Sequence, residues 1–285
     1  MNRLNLTRRD FARLGTGAAL AAGAGRLMAR PLGLPIGLQL YSVRELLPKD
    51  FDGTLAKVRA AGYTDVEAAG YYGRTAAQFR AAMDKAGLKC TSTHHALGDL
   101  LDKGDELIEY GHALGLEYLV CSWPSRRDRK DGGLKLDDWR WVAEQFNRMG
   151  EKVKAAGMTF GFHNHGPEFG AEGGVVFYDE LLRLTDPKLV VFEMDCGWVV
   201  SAGRKPEEYI LKSPERFALL HIKDLERGAD GKLTSAILGR GTMDYRPILR
   251  AATSLKHYYI EQEEFDMDPI EALRLNAEYM AKIDL

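Results

Sequence analysis

The sequence predicts one α/β domain of the (β/α)₈, or TIM barrel, class. Eight short β-rich segments alternate with longer helical segments from residue 35 to the C-terminus. Glycine ends several helical segments just before the next strand, as a left-handed helix C-cap requires. The glycine-rich phosphate loop that an open doubly wound sheet usually carries after its first strand does not occur in the sequence. A closed barrel commonly needs about 250 residues, which this length provides.

The strand candidates are short runs rich in β-branched and aromatic residues, at positions 36–43, 64–69, 88–95, 117–123, 158–165, 189–197, 218–223 and 257–265. The clearest helical pattern between them covers residues 137–156, where large apolar side chains recur every three or four positions. Neither a linker nor a low-complexity segment divides residues 35–285. We therefore expect a single barrel domain over this range.

The first 34 residues differ from the rest and have the pattern of an export signal. Arg8 and Arg9 precede a weakly apolar run of glycine and alanine at residues 15–25. A twin arginine before a short, mildly hydrophobic segment is typical of a Tat signal. We expect residues 1–34 to be a Tat-type signal and linker that engages the Tat export machinery, and the barrel to be periplasmic or otherwise exported. A helical N-terminus with a chance Arg-Arg pair is the alternative.

Composition and charge narrow the classes of partner. The chain is 45% hydrophobic and carries a formal net charge of -2, so nucleic acid is disfavoured as a partner. Cys90, Cys121 and Cys196 are odd in number and lie in apolar, strand-like segments. We expect buried free thiols rather than a disulfide or a cysteine-rich metal site. The sequence does not decide the oligomeric state, so a homo-oligomer stays possible.

Side-chain alternation turns polar residues inward on the last four strands. Phe160 and Phe162 should face the outer helices, which directs His163 and His165 into the barrel. The same alternation directs three further pairs inward, namely Glu193 with Asp195, His221 with Lys223, and Glu261 with Glu263. These positions lie near the C-terminal ends of the strands, where such barrels carry out chemistry.

Carboxylates and histidines that share one barrel mouth predict a metal ion. A buried carboxylate is costly unless a cation accompanies it. Mixed His, Asp and Glu ligation suits Mn²⁺, Mg²⁺, Zn²⁺ or Fe²⁺. Any one residue, for example His221, could instead be a hydrogen-bonded core histidine, but four matching strand positions favour the metal.

Six segments carry a resemblance to a known family: 37–44 (GLQLYSVR), 162–165 (FHNH), 193–195 (EMD), 220–224 (LHIKD), 238–244 (LGRGTMD) and 260–263 (IEQE). At these positions the chain resembles the sugar phosphate isomerase/epimerase family. These xylose isomerase-like TIM barrels also include inosose dehydratases, ketose 3-epimerases and apurinic endonucleases. The resemblance covers essentially all of residues 35–285. It implies an enzyme that uses a divalent metal ion on a sugar substrate.

The family pattern of Glu, Asp, His and Glu on strands five to eight implies His163, Asp195, His221 and Glu261 as the metal ligands. A histidine stands in place of the first glutamate, as in the branch with a His-Asn-His motif, and this leaves His165 as the alternative ligand. The less anionic set weakens Mg²⁺ relative to Mn²⁺ or Zn²⁺. We favour Mn²⁺, with Zn²⁺, Mg²⁺, Co²⁺ and Fe²⁺ as the other candidates.

Further residues complete the predicted pocket. We expect Glu193 and His165 to act as bases, with Lys223 as electrostatic help or acid. The predicted substrate contacts are Glu67, His94, His95, Trp123, Trp198 and Gln39. Alternation favours His95 inside the barrel, whereas the resemblance favours His94. Rim packing is the alternative role for both tryptophans, and filling the barrel base is the alternative for Gln39 and for Tyr41, which also faces inward by alternation.

The leading hypothesis is a metal-dependent isomerase or epimerase that acts on a sugar or keto-sugar through an enediolate. The alternative is a lyase or hydratase acting on a 3-keto-glycoside or inosose, which export favours because phosphorylated sugars are scarce outside the cytoplasm. A metal-dependent endonuclease would need more than the 7 histidines present and a basic surface. A non-catalytic sugar-binding barrel is a further, weaker alternative.

Overall fold

A computed structural model describes residues 31–125, 133–228 and 231–285. Eight parallel strands close into a barrel, which confirms the predicted fold class. Numbered β1 to β8 in chain order, they are Gly37–Gln39, Asp65–Ala68, Lys89–Ala96, Tyr118–Trp123, Thr159–His163, Val190–Asp195, Phe217–Ile222 and His257–Ile260. Each strand pairs with its neighbours in sequence, and β1 pairs with both β2 and β8. The predicted Tat signal lies almost entirely outside the described residues.

Helices surround the barrel between the strands. Numbered α1 to α9 in the described part of the chain, they are Phe51–Ala60, Ala76–Ala86, Leu97–Leu114, Leu136–Ala155, Phe177–Leu184, Cys196–Ser201, Pro206–Lys212, Tyr245–Ala251 and Pro269–Lys282. Two short antiparallel hairpins follow β5 and β7, with strands Ala171–Glu172 and Val175–Val176, and Asp224–Arg227 and Leu233–Ala236. Among the described residues, no helix combines the length and apolar character needed to cross a membrane.

Two apolar layers hold the barrel together. The larger lies between strands and helices, where Phe146 of α4 packs on Phe160 and Phe162 of β5. The smaller fills the inside of the barrel with the following side chains: Tyr118, Val120, Ala218, Leu219 and Tyr259. Because apolar side chains fill part of the interior, the polar inward residues are confined to the rest of it. The three cysteines are buried and free, as predicted.

Several strands end earlier than predicted. After β1 the chain turns into a 3₁₀ helix, Leu40–Val43, because the Gln39 side chain accepts a hydrogen bond from the Tyr41 backbone N–H at 3.0 Å. Tyr41 therefore does not face into the barrel from a strand, and that prediction was wrong: the side chain is 43% exposed at the barrel mouth. His165, Trp198 and Glu261 also lie beyond the strand ends.

A bulge in β3 decides which of two adjacent histidines enters the barrel. Val66 pairs with Cys90 but Glu67 pairs with Ser92, so β3 contains one extra residue, Thr91. An extra residue reverses the alternation beyond it. His94 consequently points into the barrel. Simple alternation from Cys90 would place His95 there instead.

The first residue of β8, His257, forms a buried ionic contact inside the fold. Its Nδ1 lies 2.7 Å from Asp65 Oδ2, and its Nε2 lies 3.2 Å from Glu117 Oε2. Burial lowers the pKa of His257, but the hydrogen bonds and charges of Asp65 and Glu117 outweigh that effect and raise its pKa overall. A raised pKa in the folded state stabilises the fold below the unfolded value of about 6.5. That stabilisation is lost as the pH rises through the folded-state value.

Replacing His257 by asparagine should therefore lower the free energy of unfolding by about 2 kcal/mol at pH 6, and by clearly less at pH 9. Urea denaturation at both pH values measures the difference, with the exposed His112→Asn variant as control. Equal losses at pH 6 and pH 9 would contradict the assignment of a charged His257.

Candidate metal centre

The C-terminal ends of five strands bring imidazoles and carboxylates together. His94 lies on β3, His163 ends β5, Glu193 and Asp195 lie on β6, and His221 lies on β7. Glu261 follows β8, and Lys223 follows β7 directly. All these side chains except His94 are at most 8% exposed. Their polar atoms therefore have to satisfy one another or bind a ligand.

Three histidines surround Glu193. Glu193 Oε2 accepts from His94 Nε2 at 2.6 Å and from His163 Nδ1 at 3.1 Å, and it lies 3.3 Å from His221 Nε2. One donor atom from each of these four residues lies within 4.8 Å of the others. We call these four residues the histidine–glutamate group. Glu193 Oε1 is buried and has no hydrogen-bond partner among the described residues.

A second group shares His221. Asp195, His221 and Glu261 also place donor atoms within 4.8 Å of one another, and we call them the carboxylate group. His221 Nδ1 lies 3.4 Å from Glu261 Oε2 but makes no hydrogen bond within the described residues. His221 thus presents a different nitrogen to each group.

Lys223 supplies a cation beside the carboxylate group. Its Nζ lies 2.9 Å from Glu261 Oε2 and 3.2 Å from Asp195 Oδ2, and it also contacts Glu263. Burial lowers the pKa of Lys223, but the three carboxylates outweigh burial and raise its pKa well above the ordinary value. The lysine is therefore charged and balances part of the carboxylate charge.

Glu67 contacts two of these histidines, His221 and His94. It is fully buried, and one of its oxygens, Oε2, lies 2.7 Å from His221 Nε2, 2.9 Å from His94 Nε2 and 2.7 Å from Gln39 Nε2. Its other oxygen accepts from Ser92 Oγ at 2.5 Å. Burial raises the pKa of Glu67, but His94 and His221 outweigh burial and hold that pKa below the usual range. The Glu67 carboxylate holds Nε2 of His221 on its own side and leaves Nδ1 directed at the carboxylate group. Burial lowers the pKa of His221, but Glu193, Glu261 and Glu67 outweigh burial and raise that pKa well above the usual value, so an ion that binds Nδ1 displaces its proton.

One histidine of the site is neutral and the other two are charged, so an ion that binds His221 displaces a proton. Burial and the nearby His221 hold the pKa of His163 well below the usual value, so this ring is neutral, as a ligand must be. Burial and the charge of Glu67 raise the pKa of Glu193 to about 7. His221 Nδ1 and Glu193 Oε1 are two buried atoms without hydrogen-bond partners among the described residues. Each could act as a ligand atom for a cation. The residues therefore fit a divalent ion with mixed nitrogen and oxygen ligands.

The model of the xylose isomerase-like TIM barrel family matches residues 55–283. The chain belongs to this family. Inosose dehydratase from Klebsiella pneumoniae is 26% identical over 284 residues, which cover 87% of this chain and 93% of that protein. A sugar phosphate isomerase/epimerase from Parabacteroides distasonis is 29% identical, with a TM-score of 0.76, over 88% of this chain and 99% of that one. Sugar-processing enzymes are thus the relatives of this barrel.

Two less similar xylose isomerase-like structures contain divalent ions. One, from Mycobacterium smegmatis, is a complex with magnesium, with 17% identity and a TM-score of 0.64 over 90% of this chain and 98% of that one. The IOLI protein contains a zinc atom, with 14% identity and a TM-score of 0.68 over 87% and 98% of the two chains. At this level of identity the likeness shows the shared fold.

A cavity of about 660 Å³ opens above the two groups of this xylose isomerase-like barrel. Its wall includes seven of the predicted site residues, namely His94, His95, Trp123, His163, His165, Trp198 and Glu261. Gln39, Glu67 and Glu193 are fully buried, the first two beneath the histidines and the third against His94 and His163. His95 turns toward Tyr71, whose hydroxyl lies 3.2 Å from His95 Nε2.

The predicted ligands divide unequally between the two groups. Asp195, His221 and Glu261 form the carboxylate group, whereas His163 belongs to the histidine–glutamate group with His221. The rings of His163 and His221 are 4.4 Å apart, so the two groups adjoin. The assignment of all four as ligands to one ion stays a prediction.

Two supporting residues were missed by the sequence reasoning. Asn164 accepts from the Asp195 backbone N–H at 3.1 Å and donates to the Asp195 carbonyl at 3.3 Å, which fixes Asp195 beside β5. Its position between the two histidines of the FHNH segment was the available signal. Ser92 holds Glu67, and only knowledge of the β3 bulge could have placed it inside the barrel.

Replacing His221 or Glu261 by alanine should abolish retention of metal by the purified protein without unfolding the barrel. Each change removes a donor from the carboxylate group, so the loss of affinity should exceed the roughly 10–100-fold that the loss of an outer-shell partner causes. Elemental analysis after dialysis measures the metal, circular dichroism checks the fold, and exposed Glu144→Ala is the control. Full metal retention by both variants would contradict this site.

Glu67→Gln should weaken metal binding by about 10–100-fold while every predicted ligand stays in place. The amide cannot hold the His221 Nε2 proton as the carboxylate does, so Nδ1 loses its fixed orientation. Titration of the metal-free protein with Mn²⁺, followed by calorimetry, gives the affinity, and Glu144→Gln is the control. An unchanged affinity would show that Glu67 does not orient His221.

Proposed function

We propose that the protein is a metal-dependent isomerase or epimerase that removes a proton beside the carbonyl group of a sugar or keto-sugar. The observation that carries this proposal is the shared cavity. A predicted base, His165, and a predicted metal ligand, Glu261, line the same cavity, which also has aromatic walls. The sugar-processing relatives of the chain support the same kind of enzyme.

We assign the ion to Asp195, His221 and Glu261, with His163 as the fourth ligand. When bound, the ion supplies a Lewis acid that lowers the free energy of negative charge on the substrate oxygens. The magnesium and zinc held by the two distant xylose isomerase-like structures support a divalent ion. Mn²⁺ remains our choice because the donors are mixed nitrogen and oxygen atoms.

The geometry favours His165 over Glu193 as the base. The His165 ring lines the cavity between Trp123 and Trp198, with ring centroids 5.4 Å and 5.9 Å away. Glu193 is fully buried behind His94 and His163. In our proposal His165 takes the proton from substrate carbon, and Glu193 holds His94 and His163 in place. Return of the proton by His165 to the neighbouring carbon gives an isomer, whereas an epimer requires a proton from a second acid on the opposite face.

Lys223 and the aromatic side chains complete the proposed site. The Lys223 ammonium lies 5.6 Å from the Trp198 ring centroid and pairs with carboxylates on its other side. We propose that it balances negative charge that develops on the substrate. The face of Trp198 excludes water from one side of the sugar ring at the metal centre.

A lyase is the second candidate function, and the curated relatives favour it. Inosose dehydratases cover most of this chain at 23–26% identity. Elimination of water or another group starts with the same proton removal and ends with loss of the β-substituent. Export by the Tat machinery, which stays a prediction from the sequence, also favours glycosides or inososes over sugar phosphates.

The His165→Gln variant tests the base directly. With metal bound, the wild-type protein should exchange the C–H proton of a keto-sugar for deuterium in D₂O, and the variant should be slower by about 10²–10⁴-fold. NMR measures the exchange and also identifies the product as epimer, isomer or eliminated species. The variant should keep its metal, because His165 is not a ligand in this proposal.

Two outcomes would correct the proposal. Loss of metal from His165→Gln would make His165 the ligand that the sequence left as an alternative. Wild-type exchange that the variant retains in full would show that another group removes the proton.

A further inference from the structure

We propose that the cavity contains an outer subsite for a second sugar ring, formed by the exposed faces of Trp123 and Tyr41. The substrate class is then a keto-glycoside whose oxidised ring lies at the metal centre and whose second ring lies on these side chains. The inference rests on the proposed function, which it makes more specific.

The size of the cavity is the first observation. One continuous space of about 660 Å³ includes His163 and Glu261 at the metal centre and Tyr41 and Trp123 at the rim. A single hexose has twelve heavy atoms, which fill at most about 360 Å³ even at the ~30 Å³ that each water occupies in the liquid. The remaining volume is comparable to a second ring of the same size.

The depth of the aromatic wall is the second observation. His221 in the metal centre lies 4.4 Å from His163, His163 lies 4.8 Å from His165, and His165 lies 5.4 Å from Trp123, between ring centroids. Trp123 is therefore three ring contacts away from the shared histidine. The first ring is placed beside His221 and His163, and we infer that Trp123, whose ring packs against His165, contacts a more distant part of the substrate.

The exposure of the rim aromatics is the third observation. Trp123 is 55% exposed and Tyr41 is 43% exposed, although most large apolar side chains of the described residues are buried. Tyr41 is also held in place. The Arg44 guanidinium lies 4.2 Å from its ring centroid and donates to the backbone carbonyls of Tyr41 and Glu263, both at 3.0 Å. A fixed, solvent-facing aromatic surface binds a flat ligand face at low entropic cost.

The polar groups at the same rim indicate a sugar rather than a plain aromatic ring. Asp99, Ser122 and Glu263 line the cavity together with the two aromatic residues. Carboxylates accept hydrogen bonds from hydroxyl groups and repel phosphate. Apolar faces bordered by hydrogen-bond acceptors match the alternating C–H faces and hydroxyl edges of a pyranose.

Binding to three probes with the same first ring tests the outer subsite. The probes are methyl 3-keto-β-D-glucoside, 3-keto-cellobiose oxidised on its non-reducing ring, and phenyl 3-keto-β-D-glucoside. Calorimetry on the Mn²⁺-loaded protein should show that 3-keto-cellobiose binds most tightly. Trp123→Ala should weaken its binding by about three- to tenfold and leave the methyl glycoside unchanged. Trp123→Phe should restore most of the lost affinity, and exposed Leu211→Ala on α7 is the control.

The outcomes separate the subsite from the reaction. Equal weakening of both glycosides by Trp123→Ala, or no preference of the wild-type protein for the two-ring probe, overturns the outer subsite. Tighter binding of the phenyl glycoside than of 3-keto-cellobiose overturns a sugar as the second ring. Intact two-ring selectivity without deuterium exchange overturns the proposed reaction and leaves the subsite standing.

Discussion

The contact between Glu67 and His221 is the interaction on which the rest of the site depends. A fully buried carboxylate at the end of β2 accepts hydrogen bonds from His221 and His94, and Gln39 and Ser92 hold it from below. A buried charge of this kind is tolerated only with several donors around it. The arrangement gives the imidazole of His221 one orientation, with Nε2 toward Glu67 and Nδ1 toward Asp195 and Glu261. The histidine–glutamate group therefore lies on the Nε2 side of the His221 ring, and the carboxylate group lies on its Nδ1 side.

The barrel makes this arrangement rigid. Apolar side chains including Tyr118, Leu219 and Tyr259 fill part of its interior. The polar groups are therefore supported by packed side chains and by short strand ends. Lys223 lies on the other side of the carboxylates, where its ammonium balances Asp195, Glu261 and Glu263. A site with this many opposed charges needs such a scaffold, because small displacements would leave a buried charge unpaired.

Alternation along the strands correctly predicts that Glu193, Asp195 and His221 are directed into the barrel, whereas their roles stay predictions. The choice between His94 and His95 could not be made in this way, because the bulge at Thr91 changes the phase of β3 without a signal in local composition. Tyr41 illustrates a second limit. Its position depends on a side-chain cap by Gln39 that ends the strand, and such caps depend on tertiary contacts as well as on residue type. Supporting contacts such as those of Asn164 require the neighbouring strand to be known.

The most direct test of the central claim is the position of the ion in crystals of the protein grown with Mn²⁺, located by anomalous diffraction. The orientation of His221 by Glu67 predicts one peak bounded by His221 Nδ1, Asp195 and Glu261. A peak among His94, His163 and Glu193, on the Nε2 side of His221, would contradict the account. So would the absence of any peak at the mouth of the barrel.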